Sequence, residues 1–403
     1  MSIVDCFRPG TADDRVDGEV PPQVAEPETS EAFAGVLAHA SAERMATVIR
    51  GGGTKLAWGR PPAAVDLVVS TSRLTRLLAH RHGDLTATVQ AGMPLRDLNA
   101  ALSAERQWLP IESAFEGSTV GGIVATNDAG PSRHRHGSPR DLIIGITLAL
   151  TDGRVVKAGG TVVKNVAGYD LGKLISGSHG TLAGIADVTF KLVPVPQTSA
   201  TLVASYTDPA ALARDVAAID ASQIEAAAFD VRSEPDVLQL LLRVATSPAA
   251  RDAQIAAARA IVTGQSTLIT DMAERQAWAS QLDVPWHGDA TVRLSWFPTK
   301  LLHVLETLDQ IRRIDGVTTT FAGRVIGAGM VTLAGEPRAL ATAIQRLRAS
   351  SDVGNVVLLR ASRELKGMID VWGPPRSSDG AVQSIKRMFD PAGILNAARG
   401  PVS

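Results

Sequence analysis

From Val24 to Pro196 short apolar runs alternate with segments of helical periodicity. Asp66 to Ser70 reads as a strand, and Ser72 predicts the cap of a short helix carrying Leu74, Leu77 and Leu78 on one face. Leu85, Ala87 and Val89 alternate with Thr86, Thr88 and Gln90, the period-two signature of a half-buried strand that ends at Gly92. Pro94 opens a helix with Leu95, Leu98 and Leu102 on one face, and Ile143 to Leu150 runs as a strand into a hairpin at Thr151-Asp152-Gly153.

Pro194-Val195-Pro196 interrupts regular structure and marks a boundary. Beyond it strands are predicted near Thr201 to Tyr206, Ile224 to Val231 and Val237 to Val244, with helices opened by Asp208-Pro209 and Ser247-Pro248. The same rhythm returns with a strand at Val292-Leu294-Trp296, a helix from Thr299 to Arg313, a strand from Gly329 to Leu333, a helix from Pro337 to Arg348 and a last strand near Val356 to Leu359. The pattern predicts an α+β protein whose second half carries helices on one face of a sheet, as in ferredoxin-like split βαβ units.

Composition narrows the chemistry. With 403 residues and 45% hydrophobic content the chain can build two or three cores. Lys plus Arg (40) nearly balances Asp plus Glu (41), so no basic field points to nucleic acid. A single cysteine, Cys6, cannot close an internal disulfide or hold an iron–sulfur cluster, so a redox centre in this chain would be organic. No apolar run approaches the roughly 20 residues of a membrane-spanning helix, and Asp13, Asp14 and Asp17 stand where a signal peptide would be apolar, which predicts a cytoplasmic protein. Residues 1–22, rich in Asp, Glu, Pro and Gly, read as a mobile arm.

Three glycine-rich turns carry the candidate chemistry: Arg50-Gly51-Gly52-Gly53-Thr54-Lys55, Gly117-Ser118-Thr119-Val120-Gly121-Gly122 and Gly177-Ser178-His179-Gly180-Thr181-Leu182. Successive glycines let backbone N–H groups approach an anion closely, and Arg50 and Lys55 flank the first turn with positive charge. Neither common phosphate loop is present: no G-x-G-x-x-G is completed, and Gly172-Lys173 is followed by Leu174 rather than Ser or Thr.

The run Glu112 to Gly137 resembles the flavin-binding core of the vanillyl-alcohol-oxidase (PCMH-type) FAD-binding family, and Gly51-Gly52-Gly53-Thr54 matches that family's earlier pyrophosphate loop. Val163 to Leu171 followed by Gly177 to Leu182 looks like the version in the FAD-binding E subunit of bacterial glycolate oxidase, and Phe389 to Asn396 is similar to the family's C-terminal return to the flavin. The resemblance implies an FAD-binding domain over 23–196, a smaller cap domain over 197–380 and a segment 381–403 returning to the first. It implies FAD contacts from Arg50, Gly51, Gly52, Gly53, Thr54, Lys55, Gly117, Ser118, Thr119, Val120, Gly121 and Gly122 around the pyrophosphate, Thr126 and Asn127 near the isoalloxazine, and Gly184, Ile185 and Asn396 elsewhere on the cofactor. Covalent members attach flavin through a histidine near the first loop; residues 50–59 contain none, so noncovalent FAD is expected.

What the chain would oxidise is less legible. Related hydroxy-acid dehydrogenases carry a metal motif H-x-G-D-x-N, which Trp286-His287-Gly288-Asp289-Ala290-Thr291 only echoes; a loop histidine and a turn aspartate are expected there, and no metal site. His134 and His136 read as solvent-facing or phosphate-adjacent, and no side chain earns a catalytic role. The resemblance implies an oxidoreductase acting on CH–OH groups: the FAD-binding subunit of a complex that converts glycolate to glyoxylate. Its implied partners are a larger FAD-containing subunit and an iron–sulfur subunit, through which any membrane association would run. A self-sufficient FAD-linked dehydrogenase of another 2-hydroxy acid or a sugar, and a non-catalytic scaffold that keeps the fold, are the alternatives.

Overall fold

The computed structural model describes residues 3–161 and 168–400, so the Val163 to Ala167 part of the third motif lies outside the described residues. The chain forms two compact units. One combines Met1–Ala129, Gly137–Val195 and Pro375–Ser403; the other combines Gly130–His136 with Pro196–Pro374.

The first unit holds two principal sheets. The smaller has the order Phe7–Pro9, Gln23–Ala25, Leu67–Ser70, Thr47–Arg50, its last three strands parallel. A helix, Ser30–Ala42, makes the crossover and is capped by Thr29, whose side chain accepts from Ala32 N at 3.1 Å. Phe33, Val36 and Leu37 of that helix pack with Leu67 and Val69, while Val68 meets Val16, Val24, Val48 and Val65 on the opposite face. Leu67–Ser70 is therefore buried on both faces, which explains its unbroken apolar run.

The larger sheet is antiparallel in the order Leu77–Arg81, Thr86–Gln90, Gly184–Lys191, Ile143–Ala149, Val155–Gly159. Leu98 and Leu102 of Leu95–Leu102, and Val120, Ile123 and Val124 of Val120–Thr126, share its core with Val89, Leu148 and Val188. The predicted Ser72 helix is replaced by a turn and the strand Leu77–Arg81. Leu74 alone of the three leucines is fully buried, and Leu77–Arg81 gains a ladder with Thr86–Gln90 that a short isolated helix could not match.

Residues 3–22 do not behave as the expected arm. Phe7–Pro9 pairs with Gln23–Ala25, Val16 is fully buried, and Asp14 caps a turn by accepting from Thr11 N at 2.9 Å. Their acidic, proline-rich composition serves an ion-pair network rather than solvation. The tail Asp379–Phe389 and the loop after it also join this unit: Thr47 N donates to Ile394 O at 2.9 Å and Asn396 N to Thr47 O at 2.8 Å, a parallel bridge beside the strand that leads into the first glycine turn.

The second unit is an eight-stranded antiparallel sheet in the order Gln265–Ile269, Thr198–Ser205, Val237–Thr246, Ala228–Glu234, Thr318–Arg324, Ala328–Ala334, Ala290–Trp296, Val353–Arg360. Its helices include Pro209–Asp220 and Pro248–Ile261, each opened by proline after Asp or Ser, with Leu301–Arg312 and Pro337–Ala349 in the second half. The α+β class expected from the sequence is the class observed.

Candidate functional site

The first unit contains a partly enclosed cleft. Segments far apart in sequence line it: the first glycine turn with Leu56 and Trp58, Thr71, Ala91, the Thr119 to Thr126 turn and helix, the third turn with Ala183 and Ile185, and Asn396 with Arg399. Of the residues expected to hold a cofactor, Arg50, Gly51, Gly52, Gly53, Thr54, Lys55, Thr119, Gly121, Gly122, Thr126, Ile185 and Asn396 are on the lining.

The two nearest turns differ in what their amides do. Among the described residues, the N–H groups of Gly51, Gly52, Gly53 and Thr54 have no hydrogen-bond acceptor in the protein. Consecutive open amides on a concave surface form an anion nest. The second turn is instead satisfied internally. Val120 N donates to Met93 O at 2.9 Å, Gly121 N to Ala91 O at 2.7 Å, and Gly122 N to the Thr119 hydroxyl at 3.4 Å, which caps the helix. Glycine is required here by packing: a Cβ on Gly121 would lie 2.7 Å from Ala91 Cβ, and one on Gly52 only 1.8 Å from Gly117 O.

The second turn therefore supports the first from behind, and several expected contacts fall off the lining. Val120 is buried in the core, Gly117 packs its carbonyl toward Gly52, and Gly184 sits against the Phe33 ring. Asn127 adopts a left-handed φ of 48° as the helix C-cap and its side chain accepts from Arg140 N at 3.3 Å. Ser118, 1% exposed, accepts from Lys55 Nζ at 2.9 Å and bonds Ser113 Oγ at 2.9 Å.

The flanking cations are held by protein carboxylates. Lys55 Nζ lies 3.0 Å from Asp128 Oδ2, both side chains under 10% exposed, and close to the Trp58 and Phe115 rings. Arg50 Nη2 lies 2.7 Å from Asp14 Oδ1. Asp14 also binds Arg8 at 2.7 Å, and the Arg8 guanidinium, with the Thr11 and Arg50 hydrogen bonds, holds its carboxyl well below the usual carboxylate range despite burial. Arg50 and Lys55 were expected to greet phosphate directly; in the structure each is anchored so that the turn keeps its shape.

Two features reach the cleft from the tail. Asn396, at φ 44°, donates through Nδ2 to His179 O, fixing the third turn. Its Oδ1 is buried with no hydrogen-bond partner among the described residues, an acceptor suited to a ligand N–H or hydroxyl. Arg399, which belongs to none of the glycine-rich motifs, lies on the lining at 4% exposure. Its signal was a lone arginine three residues after a recognised asparagine, which nothing but the fold sets apart from surface charge.

In the second unit His287 bonds Asp283 at 2.5 Å and Asp289 accepts from Gly335 N at 2.9 Å, so each is engaged in local structure. Among the described residues no group of three His, Cys, Asp or Glu side chains could hold a metal. His134, expected to face solvent or phosphate, is part of the second unit, edge-on to Phe229 and with burial pushing its pKa down. No described helix is long and apolar enough to cross a membrane.

Residues 21–159 match the family model described as "FAD binding domain". The chain is 34% identical over 220 residues, 54% of its length and 47% of the relative's, to glycolate oxidase subunit GlcD of Bacillus subtilis. It is 35% identical to D-lactate dehydrogenase of Archaeoglobus fulgidus over 48% of this chain and 45% of that protein, and 35% identical to glycolate oxidase subunit GlcE of Escherichia coli over 43% and 49%. The matches span about half the length of these relatives. Among solved structures, alkyldihydroxyacetonephosphate synthase superposes with a TM-score of 0.70 over 94% of this chain and 76% of that one at 14% identity, a likeness of fold. Residues 21–159 thus resemble an FAD-binding domain, and FAD is the cofactor.

Proposed function

We propose that the protein is an FAD-dependent oxidoreductase of small 2-hydroxy acids and serves as the FAD-binding subunit of a complex that oxidises glycolate to glyoxylate. The observation that carries the cofactor half of this reading is the nest of open amides at Gly51 to Thr54. It would hold the diphosphate, with Thr119 and Gly122 closing its side, while Thr126, Ile185 and Asn396 supply hydroxyl, apolar and amide contacts to the uncharged portions. Absence of a histidine in the first loop supports noncovalent binding. When bound, FAD supplies a two-electron acceptor for oxidation of an alcohol carbon.

The chain's own groups leave the substrate half to a partner. Glycolate oxidation needs a cation for the carboxylate and a base for the hydroxyl proton. Lys55 and Arg50 in the cleft are committed to Asp128 and Asp14, and His287 and Asp289 to Asp283 and the Gly335 amide. This supports a division of labour in which a larger flavin subunit handles substrate and an iron–sulfur subunit takes the electrons. The likeness to a D-lactate dehydrogenase supports the second reading, a self-sufficient dehydrogenase.

Anaerobic addition of glycolate, D-lactate or D-2-hydroxyglutarate to the purified yellow protein separates them. The subunit reading expects no bleaching of the flavin band until partner subunits from the same cells are added. Bleaching by one acid alone establishes the self-sufficient enzyme, and a protein that never takes up FAD removes both.

A further inference from the structure

The tail is tied to the third glycine turn by a lysine that none of the glycine-rich motifs contains. Lys386, on helix Asp379–Phe389, has a side chain only 16% exposed and an ammonium whose three donors are all engaged. It donates to Thr181 O at 2.8 Å in the third turn, to Leu395 O at 3.0 Å in the tail, and to the Asp390 carboxylate one helical turn on. The Asp390 side chain is fully buried and accepts from Ile394 N at 3.1 Å and Leu395 N at 2.8 Å. One ammonium therefore joins the helix, the third turn and the loop 390–396.

Lys386 is not among the lining residues, yet the lining residues Asn396, Gly180 and His179 lie one or two positions along the chain from the carbonyls it holds. A Cβ on Gly180 would come 2.8 Å from Asn396 Nδ2, so turn and tail meet without slack. We propose that Lys386 is a positioning residue for the cofactor: it touches no part of the ligand and keeps the third turn and Asn396 at the spacing FAD requires, so that cofactor binding and docking of the tail are one equilibrium. The inference rests on the FAD reading above. Methionine at 386 keeps the helix and an apolar stem, but it removes all three donors and leaves Asp390 buried without its counter-charge, which favours an undocked tail. Apparent affinity then falls with the fraction of molecules whose tail is docked.

The test compares Lys386→Met with wild type in two measurements: FAD affinity of flavin-stripped protein by flavin-fluorescence quenching, and amide hydrogen exchange over 390–398 in the absence of flavin. FAD is expected to bind roughly ten- to hundredfold more weakly, with a matching loss of protection at Ile394, Leu395 and Asn396, because both read the same closing step. Saturating FAD should slow that exchange again. In an Asn396→Ala background the same replacement should cost less affinity than it does alone, since the two side chains act in series. Leu102→Ala, which truncates the core away from the tail, should lower stability and leave FAD affinity of the folded protein within about threefold. Unchanged FAD affinity in Lys386→Met, a loss of protection spread evenly over the first unit, or additive losses in the double variant overturn the proposal. So does an equal loss of affinity in Leu102→Ala, which would make the effect one of general stability. Should Lys386→Met not fold, Lys386→Gln, which keeps an uncharged donor, carries the same comparison. Wild-type protein that binds no FAD would instead overturn the cofactor reading itself.

Discussion

The first and second glycine turns, Arg50 to Lys55 and Gly117 to Gly122, look interchangeable as strings and do opposite work. In the first, glycine leaves a row of amides without acceptors among the described residues. In the second, the amides of Val120 and Gly121 are spent on Met93 and Ala91, and glycine lets helix Val120–Thr126 lie against the Ala91 backbone. Glycine density alone thus signals close approach, and only the hydrogen-bond accounting says whether the approaching group is a ligand or the protein's own chain.

The sharpest break in this comparison is the tie between the turns. Replacing Asp128 by Ala leaves the Lys55 ammonium buried beside Ser118, and stability should fall by about 3–5 kcal/mol in urea unfolding. The double variant Lys55→Met with Asp128→Leu should recover most of that loss; failure to recover would mean that the pair's hydrogen bonds to Ser113 and Ser118 matter more than its charges.

Gly52→Ala comes next. Its Cβ would meet the Gly117 carbonyl at 1.8 Å, so the turn must open, costing about 3 kcal/mol and weakening FAD by more than roughly tenfold. Gly121→Ala meets Ala91 Cβ at 2.7 Å and should cost about 1–2 kcal/mol in thermal or urea unfolding, while FAD affinity of the folded protein stays within a few-fold. If Gly121→Ala loses FAD as Gly52→Ala does, the distinction between the turns fails.

The smallest effect concerns Asp14. Its folded pKa lies below the unfolded carboxylate value, so its stabilising contribution is present above about pH 4 and is lost as pH falls below that. Asp14→Asn should lower stability by a constant amount at neutral and alkaline pH and flatten the acid limb of the stability–pH curve, so that the two proteins converge in acid. An acid limb identical to wild type would show that Arg8 and Arg50 gain little from this carboxylate.

Much of the fold was legible because period and punctuation agreed. The alternation at Thr86–Gln90 and the proline-opened helices Pro209–Asp220 and Pro337–Ala349 lie where the sequence predicts them. Thr318–Arg324 was not, since three threonines and a glycine mask a strand whose burial comes from its place inside the eight-stranded sheet. Asp271–Asp283 hid for a different reason: it buries Glu274 and Gln281 alongside Trp278, with Glu274 accepting from Thr201 and Arg243 and Gln281 Nε2 donating to Asp230 on distant strands. Ser72 misled because a capping residue before leucines fits a helix as well as a turn entering a strand.

The site divides in the same way. The glycine loops announced themselves through composition, whereas the partners of Arg50 and Lys55 did not, because Asp14 and Asp128 are ordinary aspartates until the backbone brings them within 3.0 Å. Arg399 belongs with them.

The bridge between Thr47 and Leu395 ties the strand entering the first glycine turn to a segment distant in sequence. Asn396 belongs to that clasp and lines the same cleft as the turn, so the grip on a dinucleotide depends on a long-range closure and not on the glycine loops alone. A substitution that strains this clasp should yield folded but pale protein.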